Sequence, residues 1–275
     1  MFSPYYRWAR SRSPQGTADP VNHCAINVAL YGVSDRRWAM TERSRASVQR
    51  SAREFVVGPS RVEWNGDCLT IDIDEVGLPL PRRVRGRVRV YPSALSRFSA
   101  ALDDGGRHRW GPIAPCARVE ATFERPRLSW SGPGYLDSNE GDEPVDRPFT
   151  EWDWSRAGMR DGSTAVIYDV RQKQGADRVI ACRFDRAGVA EPFQPPPRQR
   201  LPRTGWRVGR TMRTDPDCPA TVTDTFEDTP FYARSLLSSG LLGEKVVSMH
   251  ETLSVARLVS PVVQLLLPVR MPRTR

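Results

Sequence analysis

Apolar and polar residues alternate along six segments of the chain, and turn-forming residues separate these segments. They are LTIDID (69–74), RVRGRVRV (83–90), ARVEATF (117–123), STAVIYDV (163–170), DRVIACRF (177–184) and KVVSMHETLSV (245–255). A period of two with β-branched and aromatic residues is typical of half-buried strands. The best helical candidate is ERSRASVQRSAREF at 42–55. We therefore predict a mainly β fold of the barrel or sandwich kind, rather than an α/β sheet.

Proline usage suggests where the chain is divided. The 24 prolines are densest in EPFQPPPRQRLPR, at residues 191–203. Proline restricts its own backbone and stiffens a segment, so we interpret this stretch as a connector. The sequence thus predicts a larger N-terminal domain at residues 1–190 and a smaller β domain at residues 191–275.

Composition predicts a folded chain in a reducing compartment. Its 275 residues are 39% hydrophobic and include eight tryptophans, which is enough apolar material for a sizeable core. The five cysteines are far apart and never form a CxxC pair, which argues against a disulfide framework or a zinc site. The first residues hold no apolar run typical of a secretory signal. The longest apolar stretch, VVQLLLPV, is broken by Gln264 and Pro268, so no membrane-spanning helix is predicted.

The net charge of +9 comes almost entirely from arginine, because Lys173 and Lys245 are the only lysines among 41 basic residues. Such a bias reflects codon composition as well as function, so it is weak evidence for nucleic acid. Two segments are still candidates for contact with anionic lipid. They are the strand carrying Arg83, Arg85, Arg87 and Arg89, and YYRWARSRS at 5–13, where Tyr5, Tyr6 and Trp8 alternate with arginines. A solvated face for the first and core packing of the aromatics for the second are the simpler alternatives.

Motif searches remove the commonest catalytic classes. The chain contains no GxSxG, Walker loop, GxGxxG or HExxH sequence, which argues against the usual hydrolase, nucleotide-binding and zinc protease sites. Asp72 and Asp74 share one face of a strand and are interpreted as solvated charges. His23 and His250 adjoin apolar residues and are interpreted as hydrogen-bonded structural residues.

Two aromatic pairs suggest chemistry. His108 shares strand parity with Trp110 in GRHRWGPIAP, and Tyr135 shares it with Asp137 in GYLDSNEGDEP. With Trp130, these residues could line one pocket that holds an acid, an imidazole and several aromatic faces. Such a pocket suits protonation of an alkene, stabilisation of the cation by ring quadrupoles and capture by water. Ordinary packing of core aromatics is the alternative, and spacing alone favours it.

Several longer motifs, in order along nearly the whole chain, resemble the carotenoid 1,2-hydratase family, also called hydroxyneurosporene synthases. They are FSPYYRWAR, DPVNHCAINVALYG, RWAMTER, GRHRWGPIAP, WSGPGYLDSNEGDEP, WDWSRA, EDTPFYARS, HETLS and LPVRMPR. The resemblance implies a tandem lipocalin-like β-barrel architecture and cofactor-independent addition of water to the terminal C1–C2 double bond of acyclic carotenoids. It places the chain in the spheroidene and spirilloxanthin pathways of phototrophic bacteria. Family members usually carry more chain before FSPYY, and a shortened start could leave the first barrel without one strand.

The resemblance also implies roles for individual residues. Asp137 would be the acid that protonates C2, with His108, Trp110 and Tyr135 completing the catalytic set. Its proton must persist at neutral pH, so we expect Asp137 to be buried and protonated. His108 would position or deprotonate the attacking water. The tryptophans predicted to contact substrate are Trp130, Trp152 and Trp154.

The expected partners follow from the same resemblance. They are an acyclic carotenoid such as neurosporene or lycopene, water, and a membrane surface contacted peripherally from the cytoplasm, with no cofactor, metal or nucleic acid. A non-catalytic carrier of carotenoid or lipid is the alternative function. A buried acid favours chemistry, because a carrier gains nothing from burying a carboxyl group.

Overall fold

The computed structural model describes residues 3–32 and 35–274, so Phe2 of the motif FSPYYRWAR lies outside the described residues. In chain order the strands are β1 Asn27–Leu30, β2 Arg37–Met40, β3 Glu42–Arg43, β4 Val48–Arg50, β5 Glu54–Val57, β6 Ser60–Trp64, β7 Leu69–Gly77, β8 Arg82–Pro92, β9 Ala100–Ala101, β10 His108–Arg125, β11 Leu128–Gly141, β12 Phe149–Gly158, β13 Thr164–Gln172, β14 Arg178–Phe184, β15 Ala190–Pro192, β16 Arg198–Arg200, β17 Thr211–Arg213, β18 Thr221–Asp228, β19 Tyr232–Leu241, β20 Glu244–Ser254 and β21 Arg273–Thr274. The α-helices are α1 Pro4–Arg12, α2 Val255–Leu258 and α3 Pro261–Arg270, and short 3₁₀ helices span Pro20–His23 and Arg45–Ser47.

The mainly β class predicted from the alternation is confirmed. The six alternating segments correspond to β7, β8, β10, β13, β14 and β20. The helix predicted at 42–55 is wrong, because this segment forms β3, a 3₁₀ turn, β4 and the start of β5. The Ser51 hydroxyl accepts hydrogen bonds from the backbone N–H groups of Arg53 and Glu54, and the chain reverses there to pair β4 with β5. A local side-chain turn thus outweighs a weak helical pattern.

Two large sheets hold most of the strands. One has the order β11-β10-β8-β7-β6-β5-β4 with β9 beside β10, and the other has the order β15-β14-β13-β12-β20-β19-β18. Over the described residues each of these sheets has two end strands, and neither closes on itself. The closed barrel expected from the family resemblance is therefore not observed in the described part of the chain.

The chain forms two compact units that are interleaved in sequence. The first comprises the described parts of Met1–Pro92, Arg118–Gly134 and Gln264–Arg275, and the second comprises Ser93–Ala117 and Tyr135–Val263. The Pro-rich segment 191–203 lies inside the second unit, where β16 pairs with β17. The predicted division at residue 190 into a hydratase domain and a smaller β domain stays a prediction.

The first unit buries an apolar face of β7 and β8. Gly86 in β8 is needed for this packing, because a Cβ added there would lie 2.6 Å from the Cα atom of Phe123. The cluster around it consists of Val28, Ala39, Ile73, Val84, Ala121 and Phe123. Core packing at this density leaves no room for a side chain at position 86.

The outer face of β8 carries its arginines, as the alternation predicts, but they are paired. Arg83 donates two hydrogen bonds to Asp74, and Arg87 donates one of 2.6 Å to Asp72. These arginines lower the pKa of both aspartates below the usual value. The interpretation of Asp72 and Asp74 as solvated charges is consistent with this arrangement.

The second unit is organised around β12, which pairs with β13 on one side and β20 on the other. Because successive side chains point to opposite faces, Trp152, Trp154 and Arg156 share one face of β12. Directly across from Trp154 lie Tyr168 on β13 and Glu251 on β20. This register gathers aromatic and charged side chains from three strands on one face of the sheet.

The cysteines and the helices agree with two further predictions from the sequence. All five cysteines are free thiols, as their spacing predicts. No helix within the described ranges is long and apolar enough to cross a bilayer.

Candidate active site

The candidate site lies in the second unit, where the first half of β10 and the last half of β11 supply its central residues. Tyr135 and Asp137 lie two residues apart on β11, so their side chains point the same way. Asp137 Oδ2 accepts a hydrogen bond of 2.8 Å from Trp110 Nε1 on β10 and one of 3.1 Å from the Tyr135 hydroxyl. One member of the first in-phase pair, Trp110, and both members of the second, Tyr135 and Asp137, are therefore linked at one carboxyl oxygen. His108 does not bond to Asp137; its ring nitrogens face Asp103 and the Glu143 carbonyl oxygen.

The two oxygens of Asp137 are not equivalent. Both side-chain donors, Trp110 and Tyr135, bond to Oδ2. No described side chain is hydrogen-bonded to Oδ1. A neutral carboxyl group accepts through its carbonyl oxygen and carries its proton on the other oxygen. In the neutral form of this group, Oδ2 would therefore be the carbonyl oxygen and Oδ1 the oxygen that carries the proton.

Burial sets the proton affinity of this group. Desolvation raises the pKa of Asp137 above its usual value, although the hydrogen bonds from Trp110 and Tyr135 and the positive charge of Arg156 act in the opposite direction. Burial and the nearby carboxyl also raise the pKa of Tyr135, so its hydroxyl stays protonated and donates. The site therefore holds an acid that retains its proton at a higher pH than an exposed aspartate does.

Aromatic rings stack beside this acid. The Trp110 ring lies 5.7 Å from that of Tyr168 with an interplanar angle of 18°, and the Tyr168 ring lies 6.4 Å from that of Trp152 at 24°. Phe98 and Phe184 meet the edges of Trp110 in T-shaped contacts at 6.0 Å and 6.3 Å. We call Trp110, Tyr168 and Trp152 the aromatic column; it fixes the plane of the indole that bonds to Asp137.

The neighbouring strand β12 adds a second wall. The Trp154 ring lies 5.6 Å from the Tyr135 ring, and the Arg156 guanidinium carbon lies 5.3 Å from the centre of the same ring. Trp154 is 9% exposed, and its buried Nε1–H has no hydrogen-bond acceptor among the described residues. The Tyr135 ring therefore contacts both a tryptophan ring and a guanidinium group.

His108 is held on both sides of its ring. Nδ1 lies 2.7 Å from Asp103 Oδ2, and Nε2 lies 2.9 Å from the backbone carbonyl oxygen of Glu143. Burial acts to raise the pKa of Asp103, but hydrogen bonds from His108 and the Arg107 backbone outweigh it and lower the pKa below the usual value. The His108 ring also packs edge to face on Phe149 at 4.9 Å. Both ring nitrogens face oxygen acceptors, so neither is free to take a proton from water in this arrangement.

The remaining predicted residues differ in whether they belong to the aromatic wall beside Asp137. Trp152 and Trp154 join the aromatic wall of the second unit, whereas Trp130 belongs to the first unit and is 50% exposed. His23 Nδ1 lies 2.7 Å from a Glu42 carboxylate oxygen, and His250 Nε2 lies 2.7 Å from a backbone carbonyl oxygen. These two histidines form hydrogen bonds in the interior, as interpreted from the sequence.

Sequence reasoning missed three residues that shape the site: Asp103, Arg156 and Tyr168. Tyr168 and Arg156 lie on alternating strands, and their alternation indicates which face each occupies but not which strands are neighbours. Asp103 lies in the turn between β9 and β10, five residues before His108. An acid so close in sequence to the one histidine of interest was a usable signal.

The fold and this geometry define a class: a mainly β protein with a partly buried, hydrogen-bonded carboxyl group beside an aromatic wall. The family model described as carotenoid hydratase CrtC matches residues 1–275. The chain therefore belongs to the carotenoid hydratase family.

Curated relatives agree with this assignment. An acyclic carotenoid 1,2-hydratase of Rubrivivax gelatinosus is 63% identical over 99% of this chain and 67% of its own length. Enzymes of the same name from Thiocapsa roseopersicina and Cereibacter sphaeroides are 52% and 36% identical over 99% of this chain, and over 67% and 95% of their own lengths.

Proposed function

We propose that this chain hydrates the terminal C1–C2 double bond of acyclic carotenoids such as neurosporene and lycopene, giving 1-hydroxycarotenoids in carotenoid biosynthesis. Membership of the carotenoid hydratase family supports the reaction class. The observation that carries the proposal is Asp137, a partly buried carboxyl group whose pKa is raised by desolvation and which lies against aromatic rings. An unactivated alkene needs such an acid, because an ordinary aspartate has already lost its proton at neutral pH.

In the first step the Asp137 Oδ1–H bond breaks and its proton bonds to C2 of the carotenoid. The π electrons form the new C–H bond and leave a tertiary cation at C1, while Asp137 becomes a carboxylate. The hydrogen bonds from Trp110 and Tyr135 then end on a charged oxygen, which strengthens them. These donors therefore stabilise the transition state more than the neutral acid.

Aromatic faces shelter the cation. Trp110 and Tyr135 bond to the carboxyl group and Trp154 packs on Tyr135, and a well-placed desolvated ring stabilises a cation by roughly 1 to 2 kcal/mol. Trp152 contributes through the aromatic column rather than by direct contact with Asp137. The half-exposed Trp130 has no described contact with this acid, so we assign it a lesser role in substrate contact.

In the second step a water oxygen bonds to C1, and the excess proton returns to the Asp137 carboxylate, which restores the acid. The reaction balances as the addition of one water molecule with no cofactor. The unpaired Nε1–H of Trp154 is suited to holding an oxygen of the water or of the new hydroxyl group. We assign His108 to holding the chain around the site, because both of its nitrogens are occupied.

Two wider features belong to the proposal. A lipocalin-like relationship fits the two large antiparallel-strand sheets, and a peripheral position on the cytoplasmic side of a membrane fits a substrate that dissolves in hydrocarbon. A carotenoid is long, so only its end needs to reach Asp137.

The test is incubation of the purified protein with lycopene or neurosporene in detergent, without added metal or cofactor, followed by mass analysis. We expect a product heavier by one water, and by a further two mass units when the water carries oxygen-18. Carotenoid that binds without any gain in mass would instead support the carrier function.

A further inference from the structure

Exposed aliphatic side chains line one face of α3. Leu265, Leu266 and Val269 are 72%, 49% and 58% exposed, whereas Leu267 on the opposite side of the helix is 7% exposed. Contiguous aliphatic side chains on a surface mark an interaction site when no described residue covers them. We call these three residues the apolar strip of α3. They belong to the apolar stretch VVQLLLPV noted in the sequence.

Positive charge accompanies the apolar strip. Arg270 follows Val269 directly, and its guanidinium carbon lies 4.2 Å from the ring centre of Trp38. An arginine beside an indole is typical of side chains at a membrane interface. From Val255 to Thr274 the sequence contains no aspartate or glutamate. The strip and its arginine are thus complementary to a bilayer surface with anionic headgroups.

The arginines of β8 fit this role less well. Arg83 and Arg87 are hydrogen-bonded to Asp74 and Asp72, and Arg85 lies 3.4 Å from Glu124. Each of these positive charges is already balanced by a carboxylate on the same unit. The predicted lipid contact of the β8 face is therefore weaker than that of α3.

We propose that Leu265, Leu266, Val269 and Arg270 form the surface by which the chain docks on an anionic lipid bilayer. Docking rests on the proposed function, since a membrane-dissolved carotenoid gives the chain a reason to be there. The helix lies in the interface with its aliphatic side chains among the acyl chains, and Arg270 contacts the headgroups.

Flotation with vesicles of phosphatidylcholine and phosphatidylglycerol tests the surface. We expect the wild-type chain to float with anionic vesicles and the double variant Leu265→Ser/Leu266→Ser to bind at least tenfold more weakly. The matched control is Leu80→Ser/Leu95→Ser, which removes leucines of 67% and 53% exposure elsewhere and should bind as the wild type does. Arg270→Gln should lose binding to anionic vesicles and change little on pure phosphatidylcholine.

The proposed docking surface would be wrong if the two double variants bound vesicles equally, or if the wild type did not bind them. A wild-type dimer that the α3 variant converts to a monomer would also contradict it, because the strip would then join two copies of the chain. Hydration of detergent-dispersed carotenoid separates this proposal from the proposed function. The α3 variant should retain it; if no form of the protein hydrates carotenoid, the vesicle result still stands on its own.

A second, independent observation concerns Arg156. Its neighbours across the sheet, Val166 on β13 and Met249 on β20, carry no charge. Its guanidinium group lies over the Tyr135 ring and forms no ion pair with a described residue. A cation in such surroundings is costly unless a negative charge develops nearby.

The titratable and charged groups around Asp137 and Arg156 come from several strands. Tyr135 lies on β11, Tyr168 on β13 and Cys116 on β10, and each interacts electrostatically with Asp137 or Arg156. Glu251 on β20 is bonded to Arg234 at 2.7 Å, so that pair is neutral overall. Arg156 is therefore a positive charge that acts on the acid and forms no ion pair with a described residue.

The geometry points to Arg156 as a positioning residue that provides the counter-charge for the Asp137 carboxylate formed when the proton leaves. This role rests on the proposed function. It makes Asp137 a stronger acid, whereas burial keeps the proton in place until an alkene takes it. Removing the cation should raise the pKa of Asp137 and make it a weaker acid.

The test is the pH dependence of kcat/KM for Arg156→Gln, Arg156→Lys and the exposed control Arg160→Gln. Activity requires protonated Asp137 and is lost as pH rises through its pKa. Since Arg156 lowers that pKa, its removal should move the alkaline limb to higher pH and reduce the low-pH kcat about tenfold. Arg156→Lys should restore most of both, and Arg160→Gln should change neither.

Infrared titration of the Asp137 carboxyl group without carotenoid gives a readout that does not depend on activity. We expect its midpoint to rise in Arg156→Gln. An unchanged or lowered midpoint would overturn the role of Arg156, whereas a raised midpoint in a protein that hydrates no carotenoid would overturn only the proposed function.

Discussion

Asp137→Asn is expected to reduce carotenoid hydration about a thousandfold or more while leaving the fold and carotenoid binding intact. Asparagine has the same shape and can still accept the hydrogen bonds of Trp110 and Tyr135 through its carbonyl oxygen. It places an amide where Oδ1 carries the proton, so the alkene meets no acid. General acid catalysis typically contributes a factor of 10² to 10⁴, and no other described group replaces it. Single-turnover hydration of lycopene measures the loss.

The matched control is Asp177→Asn, since Asp177 is an exposed aspartate of the same unit. It should hydrate carotenoid at the wild-type rate. Because the amide that replaces the Asp137 carboxyl group is neutral at every pH, thermal unfolding of the Asp137→Asn variant at neutral pH should show no loss of stability. Turnover within a few-fold of the wild type in Asp137→Asn would sink the proposed mechanism.

Trp110→Phe carries the second largest expected effect. The change removes the Nε1–H that donates to Asp137 and leaves a smaller ring in a site where tryptophan is 1% exposed. We expect kcat to fall roughly 10- to 100-fold, because one charge-assisted hydrogen bond to the developing carboxylate is lost. The free energy of unfolding should fall by about 1 to 3 kcal/mol through poorer packing.

Two controls separate the hydrogen bond from the packing. Trp206→Phe makes the same change at a residue that is 54% exposed and should alter neither quantity. Tyr168→Phe keeps the ring of the aromatic column and removes only the hydroxyl group that donates to Asn139. If Tyr168→Phe slows hydration as much as Trp110→Phe does, the Trp110 hydrogen bond is not the cause.

The strands and the two in-phase pairs of the site could be predicted from the sequence. Alternation fixes which side chains share a face, so Tyr135 and Asp137 had to point the same way once β11 was extended through them. The turn-forming residues of GYLDSNEGDEP obscured this, because β11 continues to Gly141 before the chain bends. The turn-forming residues of this segment therefore include the last residues of β11.

The sequence could not predict which strands lie next to each other or in which register they pair. Arg156 and Tyr168 lie on the same face of their sheet because β12 and β13 pair in one register, and a shift of one residue between these strands would place one of the two on the opposite face. Helix 42–55 was mispredicted for a local reason, since Ser51 turns the chain where the charged pattern looked helical. Trp130 shared the motif of Asp137 but lies in the other unit, because the chain changes units at residue 134.

The central claim is that Asp137 keeps its proton in the folded chain, and infrared difference titration measures this directly. The spectrum of the Asp137→Asn variant, subtracted from that of the wild type, isolates one carboxyl group. We predict that this group loses its proton above the usual aspartate pKa of about 4, because it is partly desolvated beside aromatic rings. A carboxyl signal that is already ionised at or below that value would contradict the account.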